Sequence, residues 1–462
     1  NVTYKEARVY LDEMSKYGSV LGLDTIRGLL RELGNPQDDL KFIHIAGTNG
    51  KGSVLAYTST ILSKAGYKTG RYVSPTVISY LEKIQVDGEW ISETEFADIT
   101  EQVKEAIDRL KSKEQPVPTV FETETAMAFL YFKKKNCDLV VLETGLGGET
   151  DATNIVKNTV CAAFATISVD HLGMIGDSLE EIAQTKSGII KPGCKVVSAR
   201  QKESISKILQ EKAGSLGCAY VEAEPELMEI EADDYKGITF SYKEYLHMQS
   251  QIAGECQREN LAAALEVINS LKDLGYEITE EAVRDGIRET RWAGRFTCLS
   301  EEPVVIVDGA HNEDAAKKLR TSLERYFKEK EIIFIMGVFK DKEYEKIVQI
   351  LSPLASRVYT VDLPNKERTL PGEKLAECIR NTAQKSITDE KKIPDIAGGC
   401  QEETCRKNKG KFLAVTAEKS IEEAVAKAYD YAKEDEENRV VVACGSLSYL
   451  SEVIQCVKDM KM

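Results

Sequence analysis

The segment His44–Tyr57, HIAGTNGKGSVLAY, places three glycines, a lysine and a serine within the seven residues 47–53. Glycines let backbone N–H groups close on anionic oxygens, and a helix beginning here would favour negative charge at its N-terminus. Lys51 is the residue that could reach the β- and γ-phosphates of a nucleotide. The general phosphate-loop spacing G-x-x-x-x-G-K-[ST] is not met, because Ile45 and Gly52 stand where Gly and Ser or Thr are required. The competing reading is a tight strand-to-helix turn carrying an exposed lysine.

Four further residues carry chemical potential. Glu143 ends the apolar run DLVVLE and precedes TGLGGETDATN. A carboxylate at a strand's carboxyl end beside a glycine-rich loop suits Mg²⁺, which takes one or two carboxylates together with phosphate oxygens. His171 and His311, two of the four histidines, follow apolar runs in SVDHLGMIGDS and DGAHN. A loop histidine is as often structural, and His44 and His247 are read that way. Lys186 lies in DSLEEIAQTKSGIIKPG, where Ser178 and Glu181 form a capping pattern and Pro192–Gly193 stop the helix. Leu179, Ile182, Ala183, Ile189 and Ile190 share its face, so a cation sits on an apolar stripe. Either the side chain snorkels to water or its amine is buried near charge and chemically altered.

Elements must exist to hold these groups. Residues 40–47, 137–145, 160–168 and 194–200 read as buried strands. Residues 3–33, 53–65 and 121–134 read as helices. A second alternating series follows, with strands at 303–312, 331–339, 357–362, 411–417 and 439–446. Apolar strands alternating with helices indicate doubly wound, mostly parallel α/β sheets. At 462 residues two domains are the ordinary expectation. They are placed at 1–296 and 304–462, with 297–303 as linker. The polar stretch 384–410 reads as a surface loop.

A net charge of −15 and a pI near 5.1 argue against a broad nucleic-acid surface. No apolar run approaches the ~20 residues of a membrane span, and the charged N-terminus lacks a signal-peptide core. Eleven cysteines without a C-x-x-C pair read as reduced cytoplasmic thiols, not a zinc site.

Taken together the chain resembles folylpolyglutamate synthase, including its bifunctional form with dihydrofolate synthase activity, in the Mur ligase superfamily. The resemblance rests on HIAGTNGKGS (44–53), YVSPTV (72–77), LETGLGGETDATN (142–154), SVDHLGMIGDSLEEIAQTKSGIIKPG (168–193), RWAGRF (291–296), DGAHN (308–312) and ACGSLSYLSEV (443–453). It implies an N-terminal phosphate-loop ATPase domain, a smaller Rossmann-like C-terminal domain, and an ATP-dependent amide ligase. ATP would convert a folate carboxylate to an acyl phosphate, which the α-amine of L-glutamate attacks.

The resemblance also implies roles. Thr48, Asn49, Gly50, Lys51, Gly52 and Ser53 would hold ATP, with Asn260, Arg295, Asp308 and His311 as further nucleotide contacts. Ser74, Glu143 and His171 would bind Mg²⁺. Lys186 would be carbamoylated and, with Lys51, His171 and Glu143, would serve catalysis. Phe121, Asp151 and Ala152 would meet the pterin. The expected partners are ATP, L-glutamate and reduced folates, with dihydropteroate as a further candidate substrate; no nucleic acid or membrane is expected, and the protein is expected to be a monomer. Glu149–Thr150 stands where the family has Arg-x, Thr76 where His is common, and Cys256 where His is common.

Two other readings compete. Ligases of UDP-linked cell-wall precursors carry a further domain of ~100 residues before the phosphate loop, and only 46 residues precede Gly47. A phosphate-loop regulatory module reading guanine would carry N-K-x-D, whereas NKER (365–368) ends in Arg.

Overall fold

The computed structural model describes residues 1–17, 22–170, 173–390 and 413–462, the side chains of Tyr17 and 387–390 excepted. The chain divides into two compact units. The first comprises Asn1–Asp233, Gly237–Gln251 and Cys256–Trp292. The second comprises Asp234–Lys236, Ile252–Glu255 and Ala293–Met462.

The first unit runs through α1 (Tyr4–Met14), α2 (Asp24–Glu32), β1 (Phe42–Ala46), α3 (Lys51–Lys64), β2 (Thr69–Tyr72), β3 (Ile84–Val86), β4 (Glu89–Trp90), α4 (Glu93–Ser112), α5 (Val120–Lys134) and β5 (Leu139–Glu143). It continues through β6 (Thr159–Phe164), α6 (Leu179–Ser187), β7 (Lys195–Ser198), α7 (Glu203–Ser215), β8 (Tyr220–Glu222), β9 (Glu229–Asp234), β10 (Gly237–Tyr242), β11 (Tyr245–Ser250), α8 (Cys256–Asp273) and α9 (Glu280–Glu289). Eight strands form one sheet in the order β4-β3-β2-β5-β1-β6-β7-β8. It is parallel except at the β3 and β4 edge. Every residue of β1 and β5 is buried, which requires cover on both sheet faces. One face is covered by α1, α2, α4 and α5 through Phe96, Phe129, Phe132, Leu29 and Leu30. α6 and α7 join another core through Ile182, Ile205 and Leu209. α3 is buried almost all round, as befits a helix enclosed by others.

The second unit contains β12 (Thr297–Glu301), β13 (Val304–Val307), α10 (Glu313–Tyr326), β14 (Glu331–Met336), α11 (Tyr344–Leu351), β15 (Ala355–Thr360), α12 (Gly372–Glu390), β16 (Ala414–Ala417), α13 (Ile421–Lys433), β17 (Arg439–Cys444) and α14 (Leu450–Lys461). Its sheet order is β12-β13-β17-β14-β15-β16, with β12 antiparallel. Phe334, Leu319, Leu323, Val348, Leu375 and Ile379 make its core. The α/β class with doubly wound, mostly parallel sheets is as expected from the sequence.

Several expectations are corrected. Residues 3–33 form two helices, separated by the 3₁₀ turn Ser15–Tyr17 and by Gly22 at φ +116, a conformation that ends a helix at little cost only for glycine. The expected linker 297–303 contains β12, whose backbone pairs with β13. Residues 384–390 continue α12 and are not loop; 391–410 lie outside the described residues. The antiparallel sheet β11-β10-β9 was not anticipated. Among the described residues, no helix is long and apolar enough to cross a membrane.

Candidate active site

Four parallel strands end at one edge of the first unit's sheet. Register pairs Ile45 with Glu143, Ala46 with Phe164 and Tyr72 with Leu142. The loops after β1, β2, β5 and β6 therefore leave together, where open α/β sheets bind ligands.

The loop after β1 ends on Gly50, at φ +94, and α3 starts without a side-chain cap. The first N–H groups of α3 are thus left for a ligand. A Cβ on Gly50 would strike the Asn260 carboxamide, so Asn260 lies against the loop. The loop's shape is fixed from the segment that follows β6. The Thr48 N–H donates to the Thr166 carbonyl at 2.8 Å. The Thr48 hydroxyl donates to the Ser168 carbonyl at 2.9 Å and accepts from the Ser168 N–H at 3.0 Å. Lys51 Nζ, half-buried, is 3.5 Å from the Thr144 carbonyl. The Ser53 hydroxyl is buried with no hydrogen-bond partner. Such an orphan is costly in a native fold and suits a phosphate or metal oxygen shell.

Gly52 is required sterically, since a Cβ there would sit 2.7 Å from the Trp292 indole. Gly52→Ala is expected to cost about 1–3 kcal/mol of stability and to weaken ATP binding. Thermal melting and an ATP titration followed by tryptophan fluorescence check this; an unchanged melt and titration would show that the indole yields freely.

Lys186 does not snorkel. It is 3% exposed, and its Nζ donates to the Gly47 carbonyl at 3.0 Å. Burial, with the Lys51 charge second, pushes its amine down to about 7. Near neutrality a large fraction of this amine is unprotonated and nucleophilic.

Glu143, at the end of β5, is 5% exposed, and its Oε2 accepts from the Ser74 N–H at 3.2 Å. Glu143, Ser74 and the orphan Ser53 hydroxyl are hard oxygen donors of the kind Mg²⁺ takes beside phosphates. Among the described residues no group of three or more His, Cys, Asp and Glu is gathered for a metal. His171 lies outside the described residues.

The GLGG turn after β5 is held by Asp151, which is buried and accepts from the Gly145 and Leu146 N–H groups, the latter at 2.8 Å. Burial raises its carboxyl above the ordinary value, against the donors that lower it. Phe121 stacks on Tyr72 at 6.1 Å between centroids, and a Cβ on Gly145 would lie 2.6 Å from its ring. Phe121, Asp151 and the buried Ala152 thus converge on one turn. The side chains of Glu149 and Thr150 are exposed, while the Glu149 N–H donates to the Thr185 carbonyl.

Arg295, Asp308 and His311 gather within the second unit. Asp308 accepts from the Phe296 and Ala310 N–H groups at 2.9 and 2.8 Å. Burial raises its carboxyl and the Arg295 charge opposes this. His311 Nδ1 is 2.9 Å from the Gly309 carbonyl. Two contacts at the site carry no sequence signal: Trp292 of RWAGRF against Gly52, and Lys191, whose Nζ donates to Asn154 Oδ1 at 2.8 Å.

Residues 45–268 match the Mur ligase middle domain, and 294–447 match the Mur ligase, glutamate ligase domain. The dihydrofolate synthase/folylpolyglutamate synthase of Bacillus subtilis (strain 168) is 33% identical over 363 residues, spanning 77% of this chain and 84% of that protein. The dihydrofolate synthetase of Saccharomyces cerevisiae is 32% identical over 74% of this chain and 81% of its own. Among solved structures, the folylpolyglutamate synthase of Thermotoga maritima superposes with a TM-score of 0.79 at 29% identity, covering 98% of this chain and 96% of that one. E. coli FolC in complex with DHPP and ADP gives 0.80 at 25% identity, covering 100% and 99%.

Proposed function

This chain belongs to the dihydrofolate synthase/folylpolyglutamate synthase family of Mur ligases, and we propose how its own residues carry the ligation. The protein is an ATP-dependent ligase that adds L-glutamate to folates. This displaces the readings as a cell-wall ligase or a regulatory module. The observation that carries the mechanism is the convergence of Lys51, Lys186 and Glu143 at one sheet edge around an uncapped helix start.

The N–H groups of Gly50–Ser53 and the Lys51 ammonium bind the β- and γ-phosphates. Asn260 borders the same loop, and Arg295, Asp308 and His311 are read as further nucleotide contacts. The folate carboxylate oxygen attacks the γ-phosphorus, giving acyl phosphate and ADP. The neutral α-amine of glutamate then attacks the acyl carbon, loses a proton, and inorganic phosphate leaves from the tetrahedral adduct. The protein's share is positioning and charge neutralisation. Glu143 and Ser74, with His171, are the Mg²⁺ set, and the Ser53 hydroxyl is suited to join it. The cation supplies charge neutralisation on the phosphates.

The lowered amine of Lys186 supports carbamoylation: the neutral amine adds to CO₂, one proton leaves, and a carboxylate-like group results. Phe121, Asp151 and Ala152 receive the pterin. The same reading makes the enzyme a cytoplasmic monomer, the second part of which sedimentation at assay concentration checks.

One experiment tests the assignment. The protein is incubated with ATP, Mg²⁺ and glutamate, with tetrahydrofolate or dihydropteroate offered separately, and products are identified by mass spectrometry. Extension of tetrahydrofolate is the expected result, and extension of dihydropteroate would add dihydrofolate synthase activity. ATP turnover without a glutamylated product in either arm would overturn it.

A further inference from the structure

His44 is the odd residue of β1. It is fully buried in the strand that delivers the phosphate loop, yet it touches neither that loop nor the nucleotide groups assigned above. Its Nε2 lies 2.9 Å from the Thr153 hydroxyl, 109 residues away. Its Nδ1 is buried and has no hydrogen-bond partner. The Thr153 hydroxyl lies 2.5 Å from Asp151 Oδ2.

The direction of these bonds can be worked out. Asp151 Oδ1 accepts from the Leu146 N–H at 2.8 Å and the Gly145 N–H at 3.2 Å. Its Oδ2 accepts from the Gly145 and Thr153 N–H groups, both at 3.2 Å. Both oxygens therefore act as acceptors, and the Thr153 hydroxyl must donate to Oδ2. The Thr153 hydroxyl oxygen is then left to accept from His44, which requires the proton on Nε2. The unpaired Nδ1 becomes a bare acceptor, the less costly atom to leave alone, since an orphaned donor is the rarer defect. Burial, followed by the Lys191 charge, lowers the imidazole to about 3, so the ring is neutral. A neutral imidazole with a single N–H can only pass its donation one way.

We propose that His44 and Thr153 are positioning residues for the folate, forming a one-way donor chain, His44 Nε2–H to Thr153 Oγ–H to Asp151 Oδ2, that sets the carboxylate and through it the GLGG turn. This rests on the reading of Asp151 and Phe121 as the pterin side of the site. The chain explains why a strand that serves ATP carries a buried polar residue. β1 delivers the phosphate loop from its end and the pterin-facing turn from its middle, so one rigid element registers both substrates. It also explains the four donors drawn to Asp151. They lock both carboxylate oxygens, and the backbone of Gly145, against which Phe121 packs, follows.

The test separates positioning from general stability. His44→Leu and Thr153→Val remove the two donations while keeping an apolar side chain of similar bulk. Thr153→Val, which removes a hydrogen bond to the carboxylate, should raise KM for tetrahydrofolate about tenfold, and His44→Leu, which removes the bond that orients that hydroxyl, about threefold to tenfold. KM for ATP should stay within about twofold, because the loop at 47–53 does not depend on the chain. Thr153→Ser restores the hydroxyl, and His44→Gln offers an N–H near the Nε2 position; both should recover most of the loss. Equal changes in both KM values, or no rescue by the serine variant, would overturn the proposal. Asp151→Asn is the control for the underlying reading. If it raises KM for tetrahydrofolate while His44→Leu and Thr153→Val do not, the chain fails and the reading stands. If it leaves that KM unchanged, the pterin assignment fails. ATP-analogue protection in thermal melts confirms that each variant is folded.

Discussion

Lys51→Ala abolishes ATP-dependent glutamate ligation, by about 10³-fold or more, the scale on which a cation at a transferring phosphoryl group acts. Stability should change little. Lys51 is half-buried, and its contact with the Thr144 carbonyl is at the 3.5 Å limit. Surface substitutions away from packed features usually stay within about 0.5 kcal/mol. With that single long contact the cation contributes little to the fold. Arginine should not replace it, because its planar fork is wider than an ammonium and Gly52 already packs against Trp292. The measurement is product formation by mass spectrometry beside a thermal melt. Turnover near the parent's with an unchanged melt would remove the phosphate loop from the chemistry.

Lys186→Ala should be equally inactive, and acetate or another small carboxylate should restore part of the rate. A rescue of this kind distinguishes a carbamate from an ammonium, because the added anion replaces the modified group and not the lysine. Intact mass of freshly prepared active protein should show one added CO₂; its absence at full activity would sink the idea. The unmodified lysine also has a stability signature. Held near 7 and not 10.5, the buried amine costs the fold on the order of 4 kcal/mol at pH below 7. Between pH 7 and 10.5 the unfolded chain keeps a proton that the folded amine has shed, so stability rises with pH across that window. Lys186→Met has no proton to shed. In CO₂-depleted buffer it should be the more stable protein at pH 7, and its advantage should shrink by about 2 kcal/mol by pH 9. Urea unfolding at the two pH values reads this directly. A constant difference would mean that the amine remains charged in the fold.

Features set by local sequence were legible without coordinates. The glycine spacing after an apolar run marked the loop at 47–53, and β1 and α3 lie within about two residues of where periodicity put them. Ser178 caps α6 by accepting from the Glu181 N–H, as the pattern implied. The apolar stripe around Lys186 left snorkelling or burial open. The fold chose burial because α6 packs Ile182 and Ala183 into a core that leaves the amine facing the Gly47 carbonyl.

Features set by distant contacts were not legible. The 3₁₀ turn Ser15–Tyr17 and Gly22 interrupt what periodicity made one helix. β12 looked like a linker because its pattern of burial, mostly partial, lacks a continuous apolar run; pairing with β13 makes it a strand. His44 read as structural because its partner stands 109 residues away, and Trp292 went unremarked because only folding brings an indole onto Gly52. By itself the sequence determined the α/β class, the family and the residues able to do chemistry, since these rest on residue type and spacing along the chain. Only the tertiary structure decided that the Lys186 amine is buried beside a second cation, that the Ser53 hydroxyl has no hydrogen-bond partner, and that Thr153 stands between Asp151 and His44 of β1. Desolvation, proximity of charge and hydrogen-bond direction depend on which segments meet, and no stretch of local sequence contains that information.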